Sequence, residues 1–194
     1  MTSTLRSRTF FFVAAVFLLV AGFRVGRAVF LPELPNFSPV PAMALCAAAF
    51  LPGWSPLLLV LGIVALSDAA LAAALGFPLL TPEQMLLWGA LVFIFALGKT
   101  LPLRAWGFPA FAMALIGGSV GFYLLANSVS WSADPGYSKS LAGWWQAQTI
   151  GLPGFPPTWM FLRNSLISDL LFGSLFFATA RRMSLVSSEP RVAG

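Results

Sequence analysis

The chain has 194 residues, 59% of them hydrophobic and only 9% charged, with a formal net charge of +5. A soluble domain carries about 25% charged residues, so a chain this poor in charge cannot cover a water-facing surface, and its composition predicts an integral membrane protein. Histidine is absent and Cys46 is the single cysteine, which excludes an intrachain disulfide and a cysteine metal cluster and removes the commonest general base.

A helix needs about 20 apolar residues to cross the hydrocarbon, and six stretches are candidates. The first runs from Thr9 to Phe23, or on to Phe30, and is interrupted by Arg24 and Arg27. Arg6 and Arg8 ahead of it resemble the start of a signal peptide, but no small-x-small cleavage site precedes Arg24, so this helix is expected to be retained. The second, Val40 to Leu51, is short and lies inside "PNFSPVPAMALCAAAFLPG", where four prolines bracket a run of small residues. Pro39 and Pro41 can lead in a helix, whose first turn has no use for their N–H, and Pro52-Gly53 ends it. The third covers Pro56 to Phe77, the fourth Glu83 to Gly98, the fifth Phe108 to Asn127 and the sixth Trp159 to Ala180. The expected fold is therefore all-α and polytopic, with one transmembrane domain over residues 1–183 and a short polar tail over 184–194.

Charge supplies an orientation. With the N-terminus inside, seven basic residues fall on the cytoplasmic side (Arg6, Arg8, Lys99, Arg104, Arg181, Arg182 and Arg191) and four outside (Arg24, Arg27, Lys139 and Arg163). That asymmetry favours six spans with both termini cytoplasmic. It also accounts for the net positive charge without nucleic acid. The segment Ser128–Pro157, rich in Trp, Gly, Pro and Ser, then lies outside.

Asp68 and Asp169 are the residues lipid should have excluded. A carboxylate at the centre of a span costs roughly 2.5–3.5 kcal/mol on insertion scales, so each should face protein or water. Both lie roughly 14–15 Å below the outer ends of their helices at 1.5 Å per residue. They can share a cavity, pair with an arginine, or cap buried hydrogen-bond networks with Ser67 and Ser165 as partners. In "FLRNSLISDLLF", Asn164 and Ser168 stand four apart, as do Ser165 and Asp169, making two polar stripes. Arg163, beside them, is read as snorkelling to the interface. Tyr123, Asn127 and Trp131 fall at i, i+4 and i+8, two rings and an amide on one helix face, which suits a pocket wall. Small-residue spacings at Gly117/Gly121, Ala44/Ala48 and Ala69/Ala73 are read as intramolecular packing signals. Asn36 and Ser38 lie in an extended outer segment, and non-helical backbone at membrane depth is tolerated only where it is buried or lines a cavity.

"PNFSPVPAMAL", Ser67-Asp68 and "FLRNSLISDLLF" resemble an uncharacterised family of small bacterial membrane proteins, which is similar to the S components of energy-coupling-factor (ECF) transporters. The resemblance spans most of residues 24–177. It implies a six-helix protein of the bacterial cytoplasmic membrane that captures a vitamin-like micronutrient from outside, with a transmembrane coupling protein and two ATPases as partners. It also implies a lid made from Leu31–Pro41 and Ser128–Pro157. The first helix, "FFFVAAVFLLVAG", lacks the AxxxA spacing such proteins use for docking. No GxxxxGK[ST] is present, so the chain does not itself hydrolyse ATP.

The expected substrate-binding residues are Asn36, Ser38, Asp68, Tyr123, Asn127, Trp131, Asn164 and Asp169. No catalytic residue, metal or cofactor is expected. A structural or accessory subunit of a larger membrane complex is the alternative. An aspartyl-protease pair would need its carboxylates a few ångströms apart, and neither "LSDAA" nor "ISDLL" carries a recognisable intramembrane protease pattern.

Overall fold

The computed structural model describes residues 18–31, 34–76 and 78–188. Among these the chain is helical, with no strand. The helices are α1 (residues 18–30), α2 (Val40–Phe50), α3 (Ser55–Leu75), α4 (Pro82–Thr100), α5 (Leu103–Trp106), α6 (Phe108–Ala133), α7 (Leu141–Gln148) and α8 (Trp159–Ser188). Three are long and apolar enough to cross a membrane, Ser55–Leu75, Phe108–Ala133 and Trp159–Met183, while Val40–Phe50 and Gln84–Thr100 are shorter apolar helices. Their outward faces carry large apolar side chains such as Leu58, Leu66, Phe93, Leu125 and Leu171, all more than half exposed. Water would reject that surface, whereas lipid accepts it.

Turn chemistry explains most of the boundaries. Proline occupies the first turn of α2, α3, α4 and α6, where its missing N–H costs nothing. Thr81 caps α4 by accepting from the Gln84 amide at 3.2 Å, and Ser140 caps α7 by accepting from the Gly143 amide at 3.2 Å. Gly76 ends α3 in the left-handed conformation, φ 74°, the usual helix stop.

α2 is the centre of the bundle. It spans 11 residues, about 16 Å, against a hydrocarbon core of about 30 Å. Val40 and every residue from Ala42 to Ala48 are buried, and the helix packs chiefly against α4 and α8. Its alanines permit this: a Cβ built on Gly98 of α4 would lie only 2.6 Å from the Cβ of Ala48. Beyond the C-terminal end of α2 the bundle is filled by rings, with Phe177 in contact with Phe50, Phe108 and Phe111 at centroid distances of 5.3, 5.7 and 5.0 Å. The other end of α2 stops short at Pro39, and the bundle is hollow there.

Several expectations are altered. α6 runs to Ala133, beyond the expected end at Asn127, and α7 forms inside the stretch expected to be a loop. α8 continues to Ser188, into the segment expected to be a polar tail, with no proline or glycine between Gly173 and Pro190 to end it. Residues 189–194, Arg6, Arg8, Phe77 and the start of the first span lie outside the described residues. Arg24 and Arg27 do not break α1 but sit within it. Of the small-residue pairs, only Ala44/Ala48 makes a buried contact. Gly117 and Gly121 are exposed with open space around them, and Ala69 and Ala73 are exposed as well. Instead Gly118 takes the packing role on α6, with Ile94 against it.

Candidate functional site

The hollow half contains a cavity of about 560 Å³, within the usual range for small-molecule sites of roughly 300–1,000 Å³. It lies where α1 and α6 end and where α2, α4 and α8 begin. Arg24 and Arg27 line it from α1, Asn36 and Ser38 from the segment leading into α2, and Gln84 and Leu91 from α4. Ser119, Tyr123 and Asn127 contribute from α6, and Ser165, Ser168 and Asp169 from α8. The segments flanking α7 complete the wall with Asp134, Tyr137, Phe155 and Thr158. Tyr137 lies outside the apolar helices. Its phenol pKa is raised above the ordinary value by partial burial and then by the nearby Asp134 carboxylate.

Asp169 is the deepest of the expected residues. It sits ten residues into α8, about 15 Å along the axis, and is only 1% exposed. Its Oδ2 accepts the Ser119 hydroxyl from α6, whereas its Oδ1 is buried without a hydrogen-bond partner. Ser168 beside it is committed elsewhere, donating to the Ser165 carbonyl at 2.9 Å. A buried polar atom left unpaired is costly, and native interiors rarely keep one.

Asp68 has a different role. It is not among the cavity-lining residues. Its Oδ1 accepts from Arg24 Nη2 at 2.8 Å, forming an ion pair, and its Oδ2 accepts from Gln84 Nε2. Arg24 also donates to the Ser67 hydroxyl and to the Val64 carbonyl, the latter at 3.3 Å. This network ties α1, α3 and α4 together and neutralises one wall arginine. Of the alternatives open in the sequence, arginine pairing describes Asp68, and a cavity-facing carboxyl describes Asp169.

The expected aromatic–amide stripe divides. Tyr123 and Asn127 line the cavity, with the Tyr123 hydroxyl donating to the Gln148 carbonyl of α7 and Asn127 Nδ2 donating to the Tyr123 carbonyl at 2.9 Å. Trp131 instead turns to the following loop, donating through Nε1 to the Ser138 carbonyl at 2.9 Å, with Lys139 over its ring. Asn164 is buried and holds the cavity wall from behind: its Nδ2 donates to the Pro35 carbonyl at 2.9 Å, and its Oδ1 accepts from Arg163. Arg163 itself is exposed and lies over the Trp159 ring. Asn36 and Ser38 line the cavity. Asn36 takes φ 59°, a left-handed turn that asparagine tolerates, and the Ser38 hydroxyl accepts from the Val40 amide at 3.3 Å.

Sequence reasoning overlooked Ser119, Gln84, Tyr137 and Thr158. Ser119 carried a readable signal, a hydroxyl in the middle of the apolar run "LIGGSVGF". The other three lie at helix ends or in loops, where polar residues are ordinary. Among the described residues no group of three His, Cys, Asp or Glu side chains is placed to hold a metal ion.

Fold and site together define an all-helical protein with membrane-length apolar helices around a cavity floored by a carboxyl group. The chain matches the model of a family of unknown function (DUF6580) over residues 4–189 and belongs to that family. No curated protein and no solved structure matches it.

Proposed function

We propose that this is the substrate-binding subunit of a bacterial micronutrient uptake system, similar to the S component of an ECF transporter. In this reading the chain crosses the cytoplasmic membrane six times, with both termini inside. The cavity then faces away from the cytoplasm, because Lys99, Arg104, Arg181 and Arg182 all belong to the opposite end of the bundle. The segments 34–39 and 134–158 form its cover. A transmembrane coupling protein and two ATPases supply the energy, since this chain has no nucleotide-binding loop. The protein binds and releases its cargo without chemical change and is not an enzyme.

The observation that carries the reading is the cavity itself, with one oxygen of Asp169 unpartnered at its floor. A helical bundle that served only as scaffold would gain by filling this space with apolar side chains. Purification of the chain from its native membrane tests the proposal. Copurification of an integral membrane protein with two ATPases, together with ligand-dependent thermal stabilisation in a vitamin and nucleobase panel, is the expected result. Purification alone or with unrelated subunits, and no stabilisation by any compound, would overturn it.

A second reading, an accessory subunit of a larger membrane complex, is favoured by one feature. Gly117 and Gly121 present a smooth, exposed strip on α6, and small residues let a neighbouring helix approach closely. Under that reading Gly117→Leu abolishes copurification of partner proteins while ligand stabilisation is absent from the start.

A further inference from the structure

The donors around Asp169 can be accounted for. Ser119 serves Oδ2, the Ser168 hydroxyl points to Ser165, and Asp169 lies in the interior of α8, whose backbone N–H groups are engaged along the helix. The Arg24–Asp68 contact is the ion pair among the described residues, so no cation in them balances Asp169. Asp169 lines the cavity, so a molecule seated there is the remaining source of a donor for Oδ1. A charged nitrogen donor suits a carboxylate better than a neutral hydroxyl, because charge-assisted hydrogen bonds are shorter and roughly twice as strong.

The wall contributed by α1 carries the opposite charge. Arg24 is spent on Asp68, but Arg27 gives one nitrogen to the Leu34 carbonyl at 2.9 Å. No carboxylate among the described residues pairs with it. Arg27 lines the same cavity, as do Phe122, Phe155 and Phe161.

We infer that the cavity takes a small amphoteric molecule, with an amine or amidine nitrogen seated on Asp169 and an acidic group facing Arg27. This rests on the cavity being a binding site, but not on the energising module. It narrows the substrate class to compounds carrying both charges on a compact, ring-sized body.

The test does not require the natural ligand. Thermal unfolding of the full-length protein in detergent is followed by tryptophan fluorescence at increasing concentrations of each probe. Benzylamine should stabilise the protein, whereas benzoate and benzyl alcohol should not, and Asp169→Asn should abolish the benzylamine effect. 4-(Aminomethyl)benzoate should act at about tenfold lower concentration than benzylamine, as one added charged contact of about 1.4 kcal/mol implies. Arg27→Gln should erase that tenfold gain and leave the benzylamine effect intact, while Arg27→Lys retains part of the gain. No stabilisation by benzylamine, a benzylamine effect unchanged in Asp169→Asn, equal stabilisation by benzyl alcohol, or a gain that survives Arg27→Gln would overturn the inference. Stabilisation by amines in a protein that copurifies with no transport subunits would sink the uptake reading alone and leave the amphoteric site standing.

Discussion

Asp68 and Asp169 look alike in the sequence, and neutralising each should have opposite consequences. Asp68→Asn removes the partner of Arg24, in a pair whose side chains are 14% and 13% exposed. With charge centres about 4 Å apart and an effective dielectric near 20, the attraction is about 4 kcal/mol. Asparagine keeps one acceptor for Arg24, but its amide nitrogen would face Gln84 Nε2, where Asp68 Oδ2 now accepts. Arg24 and Arg27, one turn apart on α1, would also stand unbalanced. A net loss of about 3 kcal/mol follows, close to what breaking a buried pair costs, and it corresponds to a fall in melting temperature of about 6–12 °C for a chain of this size. The double variant Arg24→Gln/Asp68→Asn should recover at least half of that loss, because no lone charge remains. Asp169→Asn removes a carboxylate with one unsatisfied oxygen, so the ligand-free protein should melt at the same temperature or higher, by up to about 2 kcal/mol. Thermal unfolding of the detergent-purified variants, followed by tryptophan fluorescence, reads all three. If Asp68→Asn is as stable as the wild type, or the double variant as unstable as the single one, the ion pair is not structural. A large destabilisation by Asp169→Asn would mean that its carboxyl belongs to the scaffold.

Two further predictions concern the frame around the cavity. Gly98→Ala would set a methyl group 2.6 Å from Ala48 Cβ and 3.0 Å from the Leu45 carbonyl, forcing α2 and α4 apart at a cost of about 1–3 kcal/mol. Gly89→Ala on the same helix meets nothing within 4 Å and should be neutral or stabilising by up to about 1 kcal/mol, so melting curves of the two variants must diverge. Tyr123→Phe loses the hydroxyl that holds the Gln148 carbonyl, a change of about 1 kcal/mol. Limited proteolysis should then cut within residues 134–158 faster than in the wild type, and an unchanged cleavage rate would remove Tyr123 as the tie between α6 and α7.

Much of the fold was legible along the chain because proline, glycine and apolar run length act locally. The start of α2 at Val40, the start of α6 at Phe108 and that of α8 at Trp159 coincide with the expected ones. The ends were less legible. α6 outlasts its apolar run by passing through Ser128, Ser130 and Ser132, of which Ser128 and Ser132 bond back to their own helix carbonyls. α7 was hidden in a stretch whose glycine, serine and tryptophan content reads as loop, although Ser140 stands at its cap. The site was half legible. Depth and polarity singled out both aspartates, but nothing in "LSDAA" or "ISDLL" tells which one meets an arginine.

Composition alone determined that this chain belongs with lipid, since too few charges exist to hold water over its surface. Local sequence determined where most helices begin and that α2 is short. Tertiary structure decided the rest, because hydrogen-bond partners are chosen by helices that are neighbours in space and distant in the chain. Arg24 reaches Asp68 across 44 positions and Ser119 reaches Asp169 across 50. Only that folding leaves one carboxyl oxygen without a protein donor, beside a space large enough to supply one.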